Sequence, residues 1–120
     1  MEGPATADLL KVESSVLRDG VVVMRLAGEV DMSSVDLMAK QFEALTSGKT
    51  KAVVLDASQV TFMDSTGLHG LVEGKRILHE AGIQIFLVPS NQVRRVLEIV
   101  FPEPLFAARL NSVEEAIAAL

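Results

Sequence analysis

Apolar residues along the chain fall into alternating short runs and three-to-four-residue spacings. Leu10, Val12, Ser14 and Val16 alternate in one segment, and Arg18-Asp19-Gly20 supplies a tight turn, because Asp-Gly tolerates positive φ. Val21 to Leu26 is a nearly continuous apolar run, which suits a strand covered on both faces. The chain is expected to leave that strand through Ala27-Gly28-Glu29-Val30-Asp31, with Ser33 or Ser34 capping a helix. Val35, Met38, Phe42 and Leu45 recur at helical spacing up to Gly48. Ala52 to Leu55 reads as a short buried strand closed by Asp56.

Leu68, Leu71, Val72 and Leu78 form the apolar face of a second helix that Gly82 stops. Ile83 to Val88 predicts a third buried strand ended by Pro89, and Asn91 is expected to cap a helix carrying Val93, Val96, Leu97 and Val100. Pro102 and Pro104 break that helix, and Phe106 to Leu110 suggests a short edge strand. Ser112-Val113-Glu114-Glu115 is a capping-box sequence for a last helix with Val113, Ile117 and Leu120 inside. An opening hairpin followed by alternating helices and strands predicts an α/β domain. Its central sheet is mixed, with four to five strands and about four helices.

Length and composition narrow the function. A chain of 120 residues with 49% apolar residues makes one ordinary domain with a core of its own. Residues 1–8 read as a flexible N-terminus and 9–120 as the domain. Met1 to Asp8 has neither the basic start nor the apolar centre of a signal peptide, and no apolar run approaches the roughly 20 residues of a membrane span. Together with the absence of cysteine, this predicts a cytoplasmic protein. The net charge of −5 and the scatter of Lys and Arg in ones and twos argue against direct nucleic-acid binding.

Enzyme chemistry finds little support. His69 and His79 stand ten positions apart on the second helix, which keeps them from sharing a metal. Gly67-Leu68-His69-Gly70 lacks the spacing and the Lys of a phosphate loop, and close packing accounts for its glycines. Asp64, Ser65 and His69 suggest a nucleophile with helpers, but no third group orients the base and no Gly-x-Ser-x-Gly elbow is present. No catalytic residue, cofactor or metal is expected.

The segment of greatest interest is Phe62-Met63-Asp64-Ser65-Thr66-Gly67-Leu68. At its simplest, Asp64 or Ser65 caps the helix. Phe62 and Met63 then either anchor the loop or offer a docking surface. A hydroxyl at a helix start is also exposed to modification, and a phosphate there brings about two negative charges to amides that accept an anion. Between Lys51 and Lys75 the chain carries Asp56, Asp64 and Glu73 and no base, so such a phosphate meets little neutralisation.

The run Val53 to Leu68 resembles the signature of the STAS-domain anti-sigma factor antagonists. Leu26-Ala27-Gly28-Glu29-Val30-Asp31 resembles that family's Gly-Glu-Leu-Asp stretch, and Val93 to Leu97 and Ser112 to Ala116 resemble its last two helices. The resemblance implies a STAS-like fold and a non-catalytic signalling protein. Its unmodified form would bind an anti-sigma factor that is also a GHKL-type serine kinase, releasing a sigma factor. Phosphorylation would fall on Ser65, with Thr66 the secondary candidate, and would end the binding; a PP2C-type phosphatase would reverse it. The implied contact surface is Asp31, Met63, Asp64, Ser65, Thr66, Gly67, Leu68 and His69. Many members carry Gly where this chain has His69, a difference that bears on partner choice. The same fold also serves as an interaction module in stress-signalling scaffolds and transporter-associated complexes. A phospho-aspartate receiver would need paired acids after its first strand and a late Lys, which the sequence lacks.

Overall fold

The computed structural model describes residues 9–100, 108–109 and 112–120; the N-terminal 1–8 and Pro102, Pro104, Phe106 and Leu110 lie outside them. Strands β1 (Lys11–Arg18) and β2 (Val21–Val30) form an antiparallel hairpin. Its turn rests on Gly20 at φ 78°, a left-handed conformation that glycine adopts without steric cost. Then follow one 3₁₀ turn (Met32–Ser34), α1 (Val35–Leu45), β3 (Ala52–Met63), α2 (Ser65–Glu80), β4 (Gln84–Pro89), α3 (Asn91–Val100), β5 (Ala108–Arg109) and α4 (Val113–Ala118). The sheet order is β1-β2-β3-β4-β5, and every pair after the hairpin is parallel.

A sheet that grows in one direction, with crossovers of one hand, puts each crossover helix on the same face. Accordingly Met38 and Phe42 of α1, Leu68 and Leu71 of α2 and Val93 and Leu97 of α3 share one core with Leu26, Leu55 and Leu87 of the sheet. α4 lies after the last strand and covers the other face, where Ala116 meets Val23, Val54, Phe86 and Val88. Burying a side chain of the size of Leu or Phe is worth roughly 1.5–3 kcal/mol, so the larger core dominates stability. The first halves of β2 and β3, and β4, are covered on both faces, in line with their apolar runs.

Several boundaries differ from the sequence reading. β2 does not leave the sheet at Ala27 but continues to Val30, and β3 does not close at Asp56 but runs to Met63. Of the alternating set in and just before β1, Leu10 is buried and Val12 half-buried, whereas Val16 is 75% exposed on this edge strand. Asp31 caps the 3₁₀ turn, and Ser34, one of the two expected residues, stands at the N-cap position of α1 without a side-chain cap bond; the cap before α3 is Ser90, whose Oγ accepts from Val93 N at 3.2 Å, so Asn91 is the first helical residue. Gly48 lies past the end of α1, which stops at Leu45 with Thr46 Oγ1 donating to the Glu43 carbonyl. In α4 the fully buried residue is Ala116, with Val113 and Leu120 packed around it.

The long partnership of β2 and β3 is irregular. Nine steps along β2, from Val21 to Val30, match eleven along β3, from Ala52 to Met63. One extra β3 residue enters between the pairs Arg25–Asp56 and Ala27–Gln59, and another between Gly28–Val60 and Glu29–Phe62. These are β-bulges, and they change the side-chain period. Ala57, Val60 and Met63 all point into the larger core while the two residues between each are exposed.

Candidate phosphoacceptor site

β2 and β3 are parallel neighbours that end together, Val30 beside Met63, and each is followed by an aspartate that starts a helical turn. Asp31 Oδ1 accepts from Ser33 N at 2.9 Å and Ser33 Oγ at 2.6 Å, while Asp31 N donates to Ser34 Oγ at 2.9 Å. Asp64 Oδ1 accepts from Gly67 N at 2.8 Å, and Leu68 N donates to the Asp64 carbonyl at 2.9 Å. Asp64 N in turn donates to the Val30 carbonyl at 3.3 Å, tying the start of α2 to the end of β2. Two capped helical starts therefore sit side by side at the carboxyl rim of the parallel strands, where α/β sheets commonly place their sites.

Glycines let α2 lie this close. A Cβ on Gly67 would sit 2.1 Å from the Val30 carbonyl oxygen. One on Gly74 would meet the Phe42 ring at 2.3 Å, and one on Gly70 would meet Met38 Cε at 2.6 Å. The glycine stripe of α2 thus packs on the end of β2 and on α1, as the sequence spacing suggested.

The structure divides the sequence-predicted site residues into two groups. Ser65 is exposed at the first position of α2, His69 is exposed one turn on, and Asp31, Asp64 and Thr66 are half-buried. Met63, Gly67 and Leu68 are buried, at 3% exposure for Met63 and none for Leu68. These three hold the loop from beneath and present no side-chain surface to a partner. The two open roles of the Phe62-Met63 pair are thereby separated: Met63 anchors, and Phe62 stays 41% exposed. Met32, 75% exposed on the turn after Asp31, was not picked out from the sequence, and Ser33 was read there only as a helix cap. The available signal was a large apolar residue directly after a capping aspartate, outside any helical period. Beside them Leu9, Leu10, Ser33, Ser34 and Leu37 line a shallow cleft of about 140 Å³.

The two chain segments that form the site carry acids and neither Lys nor Arg. From Leu26 to Ala39 the chain carries Glu29, Asp31 and Asp36 and no cation, and from Ala52 to Gly74 it carries Asp56, Asp64 and Glu73 and no cation. Asp64 Oδ1 is engaged as the acceptor of the Gly67 amide. Among the described residues no group of three or more His, Asp or Glu is placed to hold a metal ion, and no helix is long and apolar enough to cross a membrane. What the arrangement offers is an exposed hydroxyl at a capped helix start, next to Asp64.

A family model described as the STAS domain matches residues 14–116. The anti-sigma F factor antagonist of Lysinibacillus sphaericus is 38% identical over 80 residues, covering 64% of this chain and 68% of the relative. An anti-sigma factor antagonist from Mycobacterium paratuberculosis superposes with a TM-score of 0.76 at 25% identity, over 93% of this chain and 94% of that one. The anti-sigma factor antagonist SpoIIAA in its unphosphorylated form gives 0.74 at 24% identity over 91% and 95% of the two chains. The Bacillus cell fate determinant SpoIIAA in the phosphorylated form gives 0.69 at 23%, over 91% and 98%. These last two likenesses speak to the fold.

Proposed function

The chain belongs to the STAS domain family of anti-sigma factor antagonists, and on that premise we propose that Ser65 is its regulatory phosphoacceptor. In its unmodified form the protein binds an anti-sigma factor, a serine kinase of the GHKL type, and frees a sigma factor in the cytoplasm. The kinase holds ATP; Ser65 Oγ attacks the γ-phosphorus, ADP leaves, and the hydroxyl proton passes to a base on the kinase. A PP2C-type phosphatase hydrolyses the ester to the free serine and inorganic phosphate.

The observation that carries this reading is the placement of Ser65. It is an exposed hydroxyl at the first position of α2, on a start that Asp64 caps and Gly67 seats against Val30. The first-turn amides favour an anion, so the fold tolerates the phosphate. A partner covering this rim does not. A dianion placed beside Asp64 in a desolvated interface costs several kcal/mol, and at about 1.4 kcal/mol per tenfold that is roughly a hundredfold or more in affinity. The contact surface is Asp31, Asp64, Ser65, Thr66 and His69, with Met63, Gly67 and Leu68 as its support. The protein itself acts as a binding module and catalyses nothing.

The test is mass spectrometry after incubation with a GHKL-type anti-sigma factor kinase and ATP. The reading requires one added phosphate that is lost in Ser65→Ala and kept in Thr66→Ala. A phosphate that persists in Ser65→Ala contradicts it.

A further inference from the structure

The height at which Ser65 emerges is set by the two bulges of β3. A strand without them would need about 6–7 Å more length beside β2 for the same two residues. It would carry Asp64 past the Val30 carbonyl it now binds and Gly67 off the seat it now occupies. Regular alternation would also turn Gln59 and Thr61 toward the larger core and Val60 away from it. The bulges are therefore a condition for the observed site.

Each bulge is held by side chains. At the first, Asp56 is buried to 8% exposure, and its Oδ1 accepts from Ser58 N at 3.0 Å and from Ser58 Oγ at 2.6 Å. These bonds hold the local kink of the strand across Ala57 and Ser58, where the extra residue enters. Asp56 Oδ2 lies 3.7 Å from Nε of Arg25, its register partner on β2, which fixes the carboxylate's orientation. At the second, Thr61 is itself the extra residue, and its Oγ1 donates to the Gly28 carbonyl at 3.4 Å. Gly28 has φ 112°, and a Cβ there would sit 2.6 Å from the Leu9 carbonyl oxygen, so β2 bends here in a way other residues resist.

We propose that Asp56, Ser58 and Thr61 are positioning residues that lock the two bulges of β3 and thereby set Ser65 at the rim beside Asp31. None of them belongs to the proposed contact set around Ser65; they act through the backbone. The inference rests on the reading of Ser65 as the switch for its functional consequence, but its test reads the backbone alone.

The test is amide hydrogen exchange by NMR on the unmodified protein, in Asp56→Val and in the double variant Ser58→Ala/Thr61→Val, whose two positions are exposed and spare the core. The reference is the Val54 amide in the middle of β3. The expected result is exchange at Asp64 and Gly67 faster by about fivefold to tenfold relative to Val54, the scale of a lost hydrogen bond. Asp56→Asn, which still accepts from Ser58, and Thr61→Ser should restore the original ratio. Exchange at Asp64 and Gly67 that changes in step with Val54, or not at all, overturns the proposal. Should Asp56→Val fail to fold, the double variant decides. If phosphorylation leaves partner binding intact while these amides respond as expected, the reading of Ser65 fails and the positioning role stands.

Discussion

The α-carbon of Gly67 is pressed so closely on the Val30 carbonyl that an added methyl would lie 2.1 Å from that oxygen. The obstacle is backbone and cannot step aside. Gly67→Ala therefore pushes the start of α2 away from β2, although alanine is the better helix former by about 1 kcal/mol. Urea denaturation should show Gly67→Ala destabilised by about 1–3 kcal/mol or more. Gly74→Ala, which meets the Phe42 ring, should cost less, and Gly70→Ala, which meets only the flexible tip of Met38, least. At Gly48 nothing lies within 4 Å, so Gly48→Ala should stay within about 0.5 kcal/mol of the parent.

The cap on α2 gives a second prediction. Asp64→Ala removes the acceptor of the Gly67 amide and should cost about 1 kcal/mol, read as a shift in the thermal midpoint, while Asp64→Ser should keep most of the stability. An unchanged midpoint in Asp64→Ala would mean that the cap contributes nothing.

Support and surface should separate experimentally. Leu68 is fully buried, and Leu68→Ala should lose about 2–5 kcal/mol of stability. Its affinity for the anti-sigma factor kinase, measured well below the melting range, should change little. His69→Ala, at an exposed position, should do the reverse and alter affinity with stability within about 0.5 kcal/mol of the parent.

On the outer side of α2, Arg76 bonds the carboxylates of Glu73 and Glu80. The hydrogen bond from Arg76 holds the Glu73 carboxyl below its ordinary value of 4.5. A carboxyl whose folded pKa is depressed lends stability above its unfolded pKa and loses it as pH falls through the folded one. The contribution of this pair should be intact above pH 4.5 and fade below it. In Arg76→Gln, an NMR titration should show Glu73 returning toward its ordinary value; an unmoved titration would assign the depression to another cause.

Much of this architecture was legible from periodicity alone. The Asp-Gly turn, the apolar runs of β2 and β4 and the faces of α1 and α2 all appear where spacing puts them, because the helices bury one face against the sheet and the central strands are covered on both faces. The cap of α2 was legible only as Asp64 or Ser65; the structure makes it Asp64, with Ser65 the first helical residue. The second half of β3 was not legible. Ala57, Val60 and Met63 repeat every three residues, a period that belongs neither to a regular strand nor to a helix and exists only because two bulges intervene. The side-chain caps at Asp31, on the 3₁₀ turn before α1, and at Ser90 were missed for a related reason, although Ser34 does stand at the N-cap position of α1. Each stands beside another good cap, Ser33 or Asn91, and only the path of the preceding strand decides between them. The burial of Leu68 within a motif that reads as a contact surface could not be seen without the seat of α2 on β2.

The most direct test of the central claim is the affinity of two forms of one protein for its anti-sigma factor kinase, by calorimetric titration. One form is unmodified and the other carries stoichiometric phosphate on Ser65. The account predicts that the phosphorylated form binds about a hundredfold more weakly, or not at all, while its thermal unfolding shows the same fold. Equal affinity of the two forms would contradict it.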